Sequence, residues 1–249
     1  MAGHSKWANI KHRKARQDAV RGKAWSKCSR AIIVAAKSGG GDVTMNLTLR
    51  YAIDEAKAAN MPKDTIEKAI KKGAGVAGEG ESYEEVRYEG YGASGVAVIV
   101  DCLTDNVNRT APELRKLFER NGGNLAKPGA VSFGFETKGQ ILIDESSTEE
   151  EVLMELALEA GADDVELTEG IWEVTCEPAS FLSVKEALEA ASLVFESASV
   201  TMIPTTTVSC DKSTAERIIK LIDAFEDHDD VQKVYSNAEF PDEMSADVD

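Results

Sequence analysis

A change of hydrophobic period at a glycine-rich segment, Gly73-Ala74-Gly75-Val76-Ala77-Gly78-Glu79-Gly80, restricts this chain more than any other feature. Before it, apolar residues recur every three or four positions, as on amphipathic helices; after it, they fall in short runs bounded by turn residues, as in strands alternating with helices. One continuous bundle and one continuous sheet are both excluded. The expected class is α+β, with a helical N-terminal part followed by sheet-containing lobes.

In the first part, Val20, Ala24, Trp25, Cys28, Ile32 and Ala35 share one helical face, and Gly39-Gly40-Gly41 ends that helix. Asn46 suits the cap of a second helix, whose stripe is Leu49, Ala52, Ile53, Ala56 and Ala59. Pro62 fits the first turn of a third helix with Ile66, Ala69 and Ile70 buried, and Gly73 stops it after Lys71-Lys72. Residues 18–73 thus read as a three-helix domain, and 1–80 as one unit with its N-terminal arm and linker. Residues 1–17 contain only Trp7 and Ile10 as large apolar groups, too few to offset the entropy of ordering, so the arm is expected to order on a partner.

After Ser82, strands are expected at 84–89 and 96–101, then a helix marked by Thr110-x-x-Glu113 and closed by Asn121-Gly122-Gly123, then a strand near 129–136. Next come a strand at 139–144, a helix opened by Thr148-x-x-Glu151, strands near 164–168 and 171–177, a helix over 180–191 and a strand at 198–204. That order, β-α-β-β-α-β, is the order of a ferredoxin-like unit. A strand near 205–209, a helix begun by Ser213-x-x-Glu216 and a strand at 231–235 then complete the sheet begun at 84–136. The organisation expected is therefore two ferredoxin-like α+β lobes, residues 81–136 with 205–240 and an insertion at 137–204, followed by an acidic tail at 241–249.

Charge follows the same division. The whole chain carries 28 Lys+Arg against 44 Asp+Glu, a formal net of −16. Residues 1–80 hold 16 Lys/Arg and 7 Asp/Glu, a net of +9, and residues 81–249 hold 12 and 37, a net of −25. Residues 1–37 alone hold ten bases against the single acid Asp18. Such polarity suits a basic arm that meets polyanions and an acidic body that does not. Lys6, Lys11, Arg13, Lys14, Arg16, Arg21, Lys23, Lys27 and Arg30 form a basic stripe with Trp7 and His12 between them, joining phosphate neutralisation to stacking. Nine phosphate contacts would give a log K against log salt slope near −8. Base-reading side chains in the arm are scarce (Asn9, Gln17), so modest sequence specificity is expected.

Catalytic signals are weak by comparison. Gly73 to Gly78 spells G-x-G-x-x-G, but it leaves a helix and enters a polar stretch, the reverse of a dinucleotide loop, so it reads as a linker. His4 and His12 lie in the arm, and His228 lies in Glu226-Asp227-His228-Asp229-Asp230, where an acidic loop is ordinarily solvated rather than metal-binding. The four cysteines are at least 34 residues apart with no Cys-x-x-Cys, as for free thiols in a reducing compartment. No enzyme activity, cofactor or metal is expected. There is neither a signal peptide nor an apolar stretch of the ~20 residues that cross a bilayer, so a soluble, cytoplasmic protein with no membrane partner is expected.

Read as letters, the segments Met1-Ala-Gly-His-Ser-Lys-Trp-Ala-Asn-Ile-Lys-His-Arg-Lys14, Ala58-Ala-Asn-Met-Pro-Lys-Asp64, Glu67-Lys-Ala-Ile-Lys-Lys-Gly73, Tyr83-Glu-Glu-Val-Arg-Tyr-Glu-Gly-Tyr-Gly92 and Leu103-Thr-Asp-Asn-Val-Asn-Arg-Thr110 resemble the YebC/PmpR family from residue 1 to about 240. The resemblance implies a three-domain cytoplasmic protein, a helical head with two α+β lobes, described as a DNA-binding transcriptional regulator. Members, including a mitochondrial translational activator of cytochrome c oxidase, are also linked to the ribosome and to peptide-bond formation at proline runs. The partners implied are promoter DNA or, alternatively, ribosomal RNA of the large subunit. The family's N-terminal motif falls on Gly3 to Lys14 and its second motif on Thr104 to Thr110, which makes Asp105, Asn106, Asn108 and Arg109 a candidate secondary contact.

Overall fold

The computed structural model describes residues 21–75, 83–168 and 170–241, with side chains from Ala24 onward. Helices α1 (Arg21–Gly39), α2 (Leu47–Ala58) and α3 (Lys63–Gly73) form the head. Ile32, Ile33, Ala35 and Ala36 of α1 meet Leu49, Ala52, Ile53 and Ala56 of α2 and Ile66 and Ala69 of α3. Asn46 caps α2 as expected, accepting from the Leu49 N–H at 3.0 Å, and its buried amide also donates to the Ala35 and Gly40 carbonyls at 2.8 Å each. One side chain thus ties the end of α1 to the start of α2. Gly73 is the last residue of α3, and the left-handed turn falls at Gly75, with φ +77°. Gly73 is needed for a different reason: a Cβ there would lie 2.3 Å from the Ile33 carbonyl oxygen, where α3 crosses α1.

The outer lobe follows with β1 (Glu84–Tyr91), β2 (Ala97–Thr104), α4 (Val107–Arg120), β3 (Asn124–Leu125), and, after the inserted lobe, α7 (Lys212–Glu226) and β9 (Val231–Ser236). Its antiparallel sheet runs β3-β1-β2-β9, a connectivity that differs from the ferredoxin-like order expected for it. Helices α4 and α7 cover one face, with Phe118 and Phe225 edge-to-face at 4.7 Å between centroids. The other face, Ala97, Ile99 and Tyr235, packs against Val131, Phe135 and Met202 at the base of the inserted lobe. Burial on both faces explains the unbroken run Val96-Ala97-Val98-Ile99-Val100.

The inserted lobe is β4 (Phe135–Asp144), α5 (Glu150–Glu159), β5 (Asp164–Thr168), β6 (Ile171–Cys176), α6 (Phe181–Ala190) and β7 (Phe195–Pro204), in the antiparallel order β5-β6-β4-β7. This is the expected β-α-β-β-α-β unit, with both helices over Ile141, Ile143, Trp172, Val174 and Cys176. Short parallel strands β8 (Val208–Ser209) and β10 (Ala238–Glu239) pair beside the outer lobe.

Several boundaries differ from the sequence reading. No strand forms at 129–134: the N–H groups of Gly129, Val131 and Ser132 donate to the Glu89 carboxylate instead of a neighbouring strand, and the strand begins at Phe135. The three Ser/Thr-x-x-Glu signatures mark helix starts, but none supplies the cap. Asn106 and Asp211 lie a few residues earlier and take the free N–H groups of α4 and α7, at Arg109 and Thr214 respectively. Residue 149, without a side-chain cap bond, precedes α5. Asp and Asn accept these bonds well, so the earlier residue wins and Thr110 is released into the interior.

If Gly73 serves the α1–α3 crossing, Gly73→Ala forces the Ile33 carbonyl to move and lowers stability by about 1–3 kcal/mol. Urea unfolding followed by circular dichroism checks this, and an unchanged midpoint would show that the crossing has slack.

Candidate nucleic-acid interface

Of the sequence-predicted contacts, Lys6, Trp7, Lys11, His12, Arg13, Lys14 and Arg16 lie outside the described residues, and Arg21 and Lys23 are described only as backbone of α1. The remaining members of the stripe, Lys27 and Arg30, face the outer lobe. Lys27 Nζ donates to the Glu226 carbonyl at 2.8 Å, at the end of α7. A cation at a helix C-terminus is favoured by the helix dipole. Arg30 Nη1 lies 3.6 Å from Oδ1 of Asp230.

Asp230 is the centre of this junction and is only 5% exposed. Its Oδ2 accepts from Arg109 Nη2 at 2.8 Å, from the Thr110 hydroxyl at 2.7 Å and from the Thr104 hydroxyl at 3.3 Å. Its carbonyl accepts from the Leu103 N–H at 2.8 Å, and its own N–H donates to His228 Nδ1 at 3.2 Å. The His228 Nε2 then sits 2.9 Å from the Glu113 carboxylate. Burial pushes the Asp230 carboxyl up, but the bonds from Arg109 and Thr110 and the Arg109 charge outweigh it and hold the group below the usual carboxylate range.

The motif Thr104 to Thr110 therefore points partly inward. Thr104 and Thr110 are fully buried and lie 2.7 Å apart through their hydroxyls; Asn106 caps α4; Arg109 bridges Asp105 and Asp230. Asn108 remains exposed. The structure brings Arg30 of the stripe and Arg109 of the motif together on one carboxylate. Sequence reasoning missed that carboxylate, because Asp230 ends an acidic run that reads as a solvated loop. The available signal was its position directly before the apolar strand β9, opposite a motif rich in hydroxyls.

The head's acids dock in the opposite sense. Lys185 Nζ of α6 meets both oxygens of Asp54 at 2.8–2.9 Å, and Lys233 of β9 is hydrogen-bonded to Glu55. Tyr51 packs edge-to-face on Phe181, centroids 6.0 Å apart, and donates its hydroxyl to the Pro178 carbonyl. Two head acids are thus covered at the junction, while Arg50, Lys57, Lys63, Lys68 and Lys71 are exposed on the head's surface.

The thiols are chemically quiet. Burial pushes Cys28 and Cys176 up to about 11 and Cys102 to about 12, far from the thiolate form at neutral pH. No helix among the described residues is long and apolar enough to cross a membrane.

Fold and junction together define a class: a small helical head of positive charge docked on two acidic α+β lobes, one carried within the other. The chain belongs to the YebC family. Its residues 5–76 match the TACO1/YebC N-terminal domain, and residues 83–238 match the TACO1/YebC second and third domain. It is 55% identical to a "probable transcriptional regulatory protein" of Rhodopirellula baltica and 54% identical to one of Persephonella marina, each over 98% of both chains. The crystal structure of a conserved hypothetical protein from Aquifex aeolicus is similar with a TM-score of 0.78, at 48% identity, over 90% of this chain and 93% of that one.

A carboxyl held below its ordinary value stabilises the fold above the unfolded-state pKa of about 4, and that contribution is lost as pH falls through the depressed folded value. Asp230→Asn is therefore expected to lower the thermal midpoint at pH 7 by several degrees and to weaken the fall in stability below pH 4. Melts of both proteins from pH 7 to pH 2.5 check the sign; parallel curves would remove Asp230 from the acid response.

Proposed function

We propose that this chain is a regulatory protein that binds nucleic acid through its basic head, acts in the cytoplasm on promoter DNA, and works by binding rather than catalysis. The observation that carries this reading is the opposition of charge along the chain, +9 in residues 1–80 against −25 in residues 81–249. A polyanion is repelled from the lobes and drawn to the head. The junction sharpens the contrast, because the covered head acids Asp54 and Glu55 are paired with lysines of the lobes. The names carried by the relatives support a regulatory role in transcription.

The arm residues Lys11, Arg13 and Lys14 supply phosphate contacts in this reading. Each lost contact reduces the steepness of the log K against log salt line by about 0.9 on duplex DNA. The variant Lys11→Ala/Arg13→Ala/Lys14→Ala is expected to bind duplex DNA more weakly and to flatten that line by nearly three. Fluorescence anisotropy across a salt series measures both. Crosslinking the wild type in cells and sequencing the bound nucleic acid identifies the target: enrichment of promoter segments supports the proposal. Enrichment of large-subunit ribosomal RNA replaces it with the alternative, a ribosome-associated factor that relieves stalling at proline-rich sequences.

A further inference from the structure

The inserted lobe has two layers, and its helices cover one face of its sheet. Helices α5 and α6 lie over Ile141, Ile143, Trp172, Val174 and Cys176. Side chains alternate along a strand, so Glu136 and Lys138 of β4, Glu173 and Thr175 of β6, and Asp164 and Glu166 of β5 point to the opposite face. There they line one hollow, which Ile203 and Pro204 of β7 complete together with Thr205.

Strand register sharpens the charge of that hollow. Glu166 stands directly opposite Glu173, and like charges facing each other across a strand pair repel. Glu173 is buried and accepts from Gln140 Nε2 at 2.6 Å, an uncharged donor. Lys138, the basic residue of the lining, is turned to Asp163 at 2.8 Å and to Glu177 at 2.5 Å, and neither of these lines the hollow. Glu136, Asp164 and Glu166 are exposed and form no ion pair among the described residues. The carboxylates are not grouped around a point, since no set of three or more acidic, His or Cys side chains among the described residues is placed to hold a metal ion. Alternate residues of a strand lie about 6.6 Å apart, which suits successive positive charges on an extended chain.

This chain supplies such a segment. Residues 1–17 carry Lys6, Lys11, Arg13, Lys14 and Arg16 with no acid, and Trp7 and Ile10 as large apolar groups. The bases complement the carboxylates, and the two apolar groups complement Ile203 and Pro204 at the end of the hollow. Twenty residues precede Arg21, the first described residue, and fully extended they span up to about 66 Å. A tethered segment within reach of its site acts at an effective concentration in the millimolar range.

We propose that the basic arm docks in the acidic hollow of its own inserted lobe and is withdrawn from it by the phosphate backbone of nucleic acid. The inference rests on the nucleic-acid reading above and adds its regulation. The lobes that repel a polyanion also hold back the arm, and apparent affinity falls by the fraction of arm that is free.

Zero-length carbodiimide crosslinking of the full chain, followed by mass spectrometry, reads the contact directly. The expected products join Lys6, Lys11 or Lys14 to Glu136, Asp164 or Glu166, and are lost when nucleic acid is added. A duplex DNA 12-mer and an RNA hairpin are tested separately, and the one that removes the products identifies the source of the phosphates. The hollow variant Glu136→Gln/Asp164→Asn/Glu166→Gln is expected to bind nucleic acid about tenfold more tightly by anisotropy, as for an arm that is about one-tenth free in the wild type. Glu149→Gln/Glu150→Gln/Glu151→Gln removes the same charge from the start of α5 and is expected to gain far less. With Lys11, Arg13 and Lys14 already replaced by Ala, the hollow substitutions are expected to add little.

Equal gains in the hollow variant and its control, or crosslinks that favour Glu149 to Glu151, reduce the effect to net charge and overturn the docking. Products that join isotope-labelled to unlabelled chains put the arm of a second copy in the hollow and overturn the contact within one chain. If nucleic acid binds but no product joins arm and hollow, the docking alone falls. If neither the wild type nor the hollow variant binds either nucleic acid, the nucleic-acid reading falls, and with it the regulation, whatever the crosslinks show. The three substituted residues are exposed, so the hollow variant is expected to melt no lower than the wild type.

Discussion

The structure turns on one buried carboxylate. Asp230 receives bonds from Arg109, Thr110 and Thr104 of its own lobe and the charge of Arg30 from the head. A buried anion is costly unless it is paired and hydrogen-bonded, and here its partners come from three places in the chain. Meeting that requirement fixes the loop before β9, the start of α4 and the position of α1 together. Other head contacts, among them Lys27 on the Glu226 carbonyl, Tyr51 on Phe181, Lys185 on Asp54 and Lys233 on Glu55, build on a placement that Asp230 shares in setting.

The junction also resolves an apparent conflict of charge. A positive head and a negative body attract, and direct pairing of all their charges would leave no positive surface. Among the described residues the pairs run in both directions: head bases on body acceptors, and body lysines on head acids. Docking therefore consumes charges of both signs, while Lys68 and Lys71 of α3 stay exposed. Glu89 applies the same economy elsewhere, since its charge is met by backbone N–H groups rather than by a basic side chain.

Local signals were legible where a residue's role depends on near neighbours. The stripe Leu49, Ala52, Ile53 and Ala56, the cap at Asn46 and the alternation of the inserted lobe are all set within a few positions of each residue. Cap signatures misplaced helix starts by a few residues, because Asn106 and Asp211 offered better acceptors just upstream. The strand expected near 129–136 forms only from Phe135, because the N–H groups of Gly129, Val131 and Ser132 found a carboxylate forty residues away in sequence. The outer lobe's strand order was beyond reach for a related reason: β9 joins β2 only after the whole inserted lobe has intervened.

By itself the sequence determined the α+β class, the helical head, the inserted unit and the polarity of charge, since these follow from periodicity and composition. Tertiary structure alone decided which charges face solvent. Lys27 and Arg30 belong to the basic stripe by spacing, Arg109 to a motif and Asp230 to an acidic run, and only the folded chain sets Lys27 on the Glu226 carbonyl and brings Arg30 and Arg109 onto Asp230. The physical reason is that pairing energy depends on distance and burial, and both are properties of the fold between residues two hundred positions apart.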